Sequence, residues 1–166
     1  MKTPPEILKS SRHSKITGDF GEALVLYWLS KHGFECASVD HTGIDLIARN
    51  PHTNEIMGIS VKSRSRKAGH ESEFVSIKRD NFEKAEKACL AFGCVPYFAV
   101  VVDAGTSIKG FILPMSHLQK MFPTGRNTCA WKMTPQWRKK YDEESEIKIF
   151  EFETRTKSWW QKPCAR

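Results

Sequence analysis

Asp45 and Lys62 are the residues of this chain best suited to chemistry. Asp45 sits in GIDLIARN and Lys62 in GISVKSR, each on a short apolar run, and the turn-rich stretch NPHTNE joins the two runs. That layout predicts a β-hairpin presenting a carboxylate on one strand and an amine on the next. Glu22, on a preceding helix, adds a second acid. Hydrolysis of a phosphodiester near neutral pH needs a divalent cation that polarises the phosphoryl oxygens and acidifies a water. It needs carboxylates that hold the cation with positions left open, and a positive group beside the developing charge. Glu22, Asp45 and Lys62 offer that set. Magnesium, or manganese, suits it, because magnesium keeps several waters and needs only one or two carboxylates. Strand residues two apart share a face, so Ser60 and Lys62 point the same way, with the Val61 carbonyl between them. Asp45 on the neighbouring strand can reach that face.

The elements that must position these groups follow from periodicity. Residues 1–17 are polar, carry a Pro-Pro pair and read as a flexible basic arm. A helix is predicted from Asp19, as N-cap, to Lys31, with Phe20, Ala23, Leu24, Tyr27 and Trp28 as its apolar stripe and Gly33 as its stop. Strands are predicted over 34–39, 44–48 and 56–61. A second helix opens at Asp80, with Glu83 completing a capping box, buries Phe82, Ala85, Cys89 and Phe92, and ends at Gly93. Pro96 introduces YFAVVV, a continuous apolar run of the kind central strands show. Strands over 110–113 and 147–152 and a short helix over 115–122 complete the list, while residues 63–73 and 123–145 show no clear period. The order helix, three strands, helix, strand implies an α/β domain. Its first three strands form a meander in a mixed sheet with helices against the faces.

The chain has 166 residues, about one domain on length. No apolar run approaches the ~18 residues that span a bilayer, and the N-terminus lacks the apolar stretch of a secretory signal. Those features predict a cytoplasmic protein with no membrane partner. The five cysteines, Cys36, Cys89, Cys94, Cys129 and Cys164, are odd in number and show no CxxC spacing, so they read as reduced thiols. Net charge is +7. Positive residues cluster after the hairpin, around Trp131 and Trp137, and in a C-terminal segment with no acid after Glu153. A phosphate backbone is the commonest partner for such a surface, although the same charge also serves solubility.

At residues 18–102 the sequence resembles the PD-(D/E)xK nuclease superfamily, in particular its small Holliday-junction-resolvase-like and restriction-endonuclease-like members. GDFGEALVLYWLSKHGF matches the first helix, HTGIDLIA the motif aspartate and ISVKSR the motif lysine. The resemblance implies a restriction-endonuclease-like core (α-β-β-β-α-β), here residues 18–122, with 123–166 as a basic, Trp-containing extension packed on the same domain. It implies Mg²⁺-dependent endonucleolytic cleavage of DNA, homodimerisation and no small-molecule cofactor. Carried over by position, Glu22 helps bind metal or orients water, Asp45 is the principal metal ligand, the Val61 carbonyl is an extra ligand, and Lys62 stands near the nucleophilic water. Arg64, Arg66, Lys67, Lys78 and Arg79 would grip the phosphate backbone.

Two positions depart from the pattern. Ile44 replaces the motif proline, and Ser60 replaces the second strand acid. A serine hydroxyl supplies no charge to a hard dication. Glu71, Glu73, Glu83 or Glu86 could stand in, the site could work without it, or the chain could be a degenerate module that binds nucleic acid without cutting it. Each residue also has a plainer role: Glu22 completing a helix cap with Asp19, Asp45 as a turn residue opening a strand, Lys62 as the start of a solvated loop. Trp131, Trp137, Trp159 and Trp160 could stack on bases, seal a dimer interface or cover a core edge.

Overall fold

The continuous apolar run after Pro96 forms the centre of the molecule. In the computed structural model, which describes residues 8–160, the elements are α1 (His13–Lys31), β1 (Glu35–His41), β2 (Ile44–Arg49), β3 (Ile56–Ser65), β4 (Val75–Lys78), α2 (Arg79–Phe92), β5 (Val95–Ala104), β6 (Ser107–Pro114), α3 (Met115–Met121), β7 (Thr128–Trp131), α4 (Pro135–Asp142) and β8 (Lys148–Glu153). The six-stranded sheet runs β1-β2-β3-β5-β6-β8, and β4 pairs with β7 in a separate ribbon. β3 and β5 are parallel because α2 carries the chain back over the sheet between them. The other neighbours in the main sheet are antiparallel.

β5 is buried on both faces, and its alternation divides the core. Ala99 and Val101 pack with Val25 and Leu29 of α1 and with Leu46, Ile59 and Val61. Phe98, Val100 and Val102 pack with Phe82 and Ala85 of α2 and with Trp131 and Tyr141. The sheet is therefore sandwiched between α1 on one side and α2, α3, the ribbon and α4 on the other, as expected for a mixed sheet covered on both faces.

Four local expectations are corrected. α1 begins at His13, and Asp19 lies inside it, bridged to Lys15 at 3.0 Å, so neither Asp19 nor Glu22 caps the helix. Its buried face is Gly21, Val25 and Leu29, whereas Phe20 and Tyr27 are 43% and 58% exposed. FGEALVLYWL carries apolar residues round most of the helix, so periodicity does not select a face; close approach does. A Cβ on Gly21 would lie 1.6 Å from the Ser63 Oγ, so only glycine lets α1 sit this near β3. α2 begins at Arg79 with Lys78 at the cap position, and no side chain caps it. Asp80 lies in the first turn, where an acid suits the helix dipole, and pairs with Lys84. Phe82, Ala85 and Cys89 are buried as the periodicity predicts, but Phe92 is half exposed and meets the His41 ring edge-on.

Residues 63–73 and 123–145 hold structure that the sequence does not announce. β3 continues to Ser65 through polar residues because β5 pairs with it along its length. β4 and β7 depend on each other across a long sequence separation, Val75 opposite Trp131 and Ile77 opposite Cys129. Among the described residues no helix is long and apolar enough to cross a membrane.

Candidate active site

The site begins where β2 and β3 part. They pair from Arg49↔Ile56 to Leu46↔Ile59 and no further. Beyond that point the Asp45 carboxylate takes over from the backbone: its Oδ2 accepts the Val61 N–H at 2.7 Å. A side chain has thus replaced a ladder bond, which keeps the Val61 amide satisfied while the strands separate. Gly43 sets the approach of this turn. Its φ is +103°, and a Cβ there would lie 2.2 Å from the Lys84 carbonyl oxygen of α2. The HTGID segment is therefore clamped against α2, with Asp45 two residues on.

Register puts Ser60 beside Phe98 and Lys62 beside Val100 in the parallel pair, so both share the face that α2 covers. Lys62 is half-buried. Burial pushes its ammonium below the ordinary lysine range; Arg64 and Lys84 push the same way, while Asp45 and Glu22 oppose. Glu22 shows the reverse. Burial raises its carboxyl, Asp45 and Asp19 raise it further, and Lys15 and Lys62 oppose. Glu22, Asp45 and Lys62 thus feel one another across a single polar neighbourhood fed by α1, β2 and β3. Lys84 belongs to the same neighbourhood and was missed from sequence; its only sequence signal is its place on the first turns of the helix that follows the hairpin.

Among the described residues, the four acids that could stand in for Ser60 are bonded elsewhere or exposed. Ser60 is 2% exposed and brings no charge. Glu71 accepts the Gly69 N–H at 3.0 Å, Glu73 pairs with Arg66 and His70, and Glu83 pairs with Arg79. Glu86 is exposed on α2. Among the described residues no three His, Cys, Asp or Glu side chains gather as a metal cage. Two of the predicted acids remain, Glu22 and Asp45, and the Asp45 charge disfavours that of Glu22. That donor set fits magnesium, which completes its shell with water, and does not fit a closed structural zinc site.

The basic residues after the hairpin divide into two kinds. Arg64 donates to the Ser63 carbonyl at 2.7 Å and the Ser76 carbonyl at 3.4 Å, tying β3 to β4. Arg66 donates to Glu73 at 3.2 Å and to the Phe74 carbonyl at 2.8 Å, and its side chain is 18% exposed. Both guanidinium groups hold the 66–74 loop in place. Lys67, Lys78 and Arg79 are exposed, Arg79 with Glu83 at 3.6 Å. The tryptophans divide likewise. Trp131 is fully buried and stacks on Tyr141 at 4.1 Å. Trp137 packs on that core beneath Lys132 and Lys140. Trp159 and Trp160 are 62% and 87% exposed. Cys36, Cys89, Cys94 and Cys129 are free thiols, and Cys164 lies outside the described residues.

No family model matches this sequence, and no curated protein matches it. Among solved structures the chain is similar to Hjc, a Holliday junction resolvase from the archaeal hyperthermophile Archaeoglobus fulgidus. The TM-score is 0.52 at 20% identity, over 69% of this chain and 83% of that one. At that identity the likeness speaks for the fold: this chain has a resolvase-like, restriction-endonuclease-like α/β architecture with a mixed central sheet flanked by helices.

Proposed function

We propose that this chain is a metal-dependent endonuclease that hydrolyses DNA phosphodiester bonds, with Glu22, Asp45 and Lys62 as its working set. One observation carries the reading: Glu22 and Lys62, shifted by burial, act on each other and feel the charge of Asp45, whose carboxylate is fixed where β2 and β3 part. Clefts where burial and neighbouring charges shift acids and bases are where active sites concentrate. DNA is favoured because the fold is shared with a Holliday junction resolvase, and the positive charge of the chain suits a polyanion. A homodimer is part of the same proposal, as the sequence resemblance implies.

Glu22, Asp45 and the Val61 carbonyl would hold Mg²⁺ or Mn²⁺. Bound there, the ion would supply Lewis acidity and a water of lowered pKa. Asp45 spends one oxygen on the Val61 amide, which fixes its orientation and leaves Oδ1 for binding. Glu22 brings the second negative oxygen. Lys62 stands by the phosphate and offsets developing charge, and its lowered pKa brings proton transfer within easier reach. Lys67, Lys78 and Arg79 would contact the backbone of the substrate, with Arg64 and Arg66 holding the loop that carries Lys67.

The second reading is a module of the same fold that binds nucleic acid without cutting it, favoured by the uncharged, buried Ser60. Incubation of supercoiled, branched and single-stranded DNA with magnesium or manganese separates the two. Metal-dependent nicking that falls about 10²-fold or more in Asp45→Ala supports the enzyme. Salt-sensitive binding with no cleavage, together with cleavage gained in Ser60→Glu, supports the binding module. A wild-type chain that neither binds nor cuts ends both.

A further inference from the structure

β8 ends at Glu153 opposite Ser107, and the Thr154 N–H bonds the Thr106 carbonyl at 2.7 Å. Ser107 pairs with Ala104, and Asp103 with Ser65 of β3. The chain after β8 therefore leaves the sheet at the end where Lys62 to Ser65 finish β3, the end that holds the candidate active site. It departs with two exposed cations, Arg155, which pairs with Glu153 at 2.9 Å, and Lys157, and then turns at Ser158, whose φ of 54° is left-handed. Beyond the turn Trp159 and Trp160 stand 62% and 87% exposed, with ring centroids 5.5 Å apart. Their burial contrasts with that of Trp131 and Trp137, which serve the core. Two adjacent exposed indoles are costly to keep in water. Flanking cations and the absence of any acid after Glu153 make their surroundings repel basic surfaces and attract phosphates.

We propose that Trp159 and Trp160 form a stacking platform for unpaired nucleobases, with Arg155 and Lys157 contacting the adjoining phosphates. The occupant is a single-stranded or branch-point segment of the nucleic acid that the candidate active site, at the same end of the sheet but across β5 and β6, would act on, so the inference rests on the nucleic-acid reading above and adds a preference for unpaired bases. Aromatic faces stack on any base, and interleaved cations track the backbone; that pairing of groups is the general chemistry of single-strand binding. A fully paired duplex hides its base faces and offers the platform only phosphates.

The test compares binding of three fluorescent DNAs: an oligonucleotide of about 16 nucleotides, enough for one single-strand site, a fork bearing such an arm, and a blunt duplex. Each is titrated with the full-length wild type, Trp159→Ala/Trp160→Ala and Trp159→Phe/Trp160→Phe. Circular dichroism confirms the fold of each variant. The proposal expects the alanine variant to lose roughly ten-fold or more on the single strand and the fork, the scale of a lost base stack. It expects little change on the duplex, partial recovery with phenylalanine, and quenching of wild-type tryptophan fluorescence by the single strand. Equal loss on all three DNAs, no loss on any, or a shift from dimer to monomer in sedimentation overturns the platform and leaves the nuclease reading standing. Failure of the wild type to bind any of the three in a salt-sensitive way removes the nucleic-acid reading, and the platform with it.

Discussion

β3 has two ends with opposite characters. At its start, Met57 lines a cavity of about 460 Å³ together with Trp28, Phe34, Tyr97 and Phe150. The Tyr97 hydroxyl there has a dedicated partner: it donates to Glu55 at 2.6 Å, and burial pushes the phenol well above its usual range. At its far end, Lys62 feels Glu22, Asp45 and Lys84 with no such assignment, while Lys84 itself pairs with Asp80. Asp45 binds an amide in place of either lysine. Both ends perturb their ionisable groups, but the first perturbation is settled by a partner and the second is left open to an outside one. A shifted pKa alone does not mark a site; a shifted group without a dedicated internal partner does.

The strongest way to break the far end is at its clamp. Gly43→Ala forces a Cβ into the Lys84 carbonyl on a left-handed backbone. A stability loss of about 3 kcal/mol is expected from strain and overlap together. Displacement of Asp45 should also cut any cleavage by about 10²-fold. Urea unfolding and a nicking assay measure the two effects; an unchanged midpoint would show that the turn and α2 are not in contact.

Glu22→Gln sharpens the contrast through pH. The Glu22 pKa in the folded state lies above its ordinary 4.5, because burial and the charges of Asp45 and Asp19 disfavour its carboxylate. Relative to glutamine, the glutamate costs nothing below 4.5, where folded and unfolded chains both hold the proton. The cost develops as pH rises through the folded pKa. Thermal melts should therefore show the variant more stable than wild type at neutral pH and equal to it in acid. Mg²⁺ should raise the wild-type midpoint and narrow the gap, since a ligand bound only by the folded state stabilises it. A variant that is less stable at neutral pH would mean that Glu22 has a paying partner after all.

The smallest effect belongs to the other end. Tyr97→Phe removes one hydrogen bond to Glu55 and should cost about 1 kcal/mol, with cleavage unaffected. A loss of activity in this variant would join the two ends that the comparison keeps apart.

Legibility from sequence followed the distance over which each feature is decided. The meander, the α2 crossover and the buried run of β5 are written in local apolar periods, and each formed where expected, within a few residues at its ends. Gly33 and Gly93 stop their helices as composition predicts, Gly93 with a left-handed φ of 67°. The β4-β7 ribbon escaped notice because VSIK and TCAW are too short to show a period and gain order only from each other. The buried face of α1 was misread because the helix is apolar on more than one side. For the site, Asp45 and Lys62 could be ranked by spacing alone. That Arg64 and Arg66 spend their donors inside the fold could not, because their acceptors, the Ser76 and Phe74 carbonyls, lie on a loop and strand with no sequence signature.

By itself the sequence determined which side chains can carry charge to the end of β3 and in what order the elements arrive, because alternation and turn composition act over a few residues. Only the tertiary structure decided that Glu22 feels the charges of Asp45 and Asp19 and that Lys62 feels that of Lys84. Those outcomes depend on how closely α1 and α2 approach the sheet, and two missing Cβ atoms, at Gly21 and Gly43, set that distance.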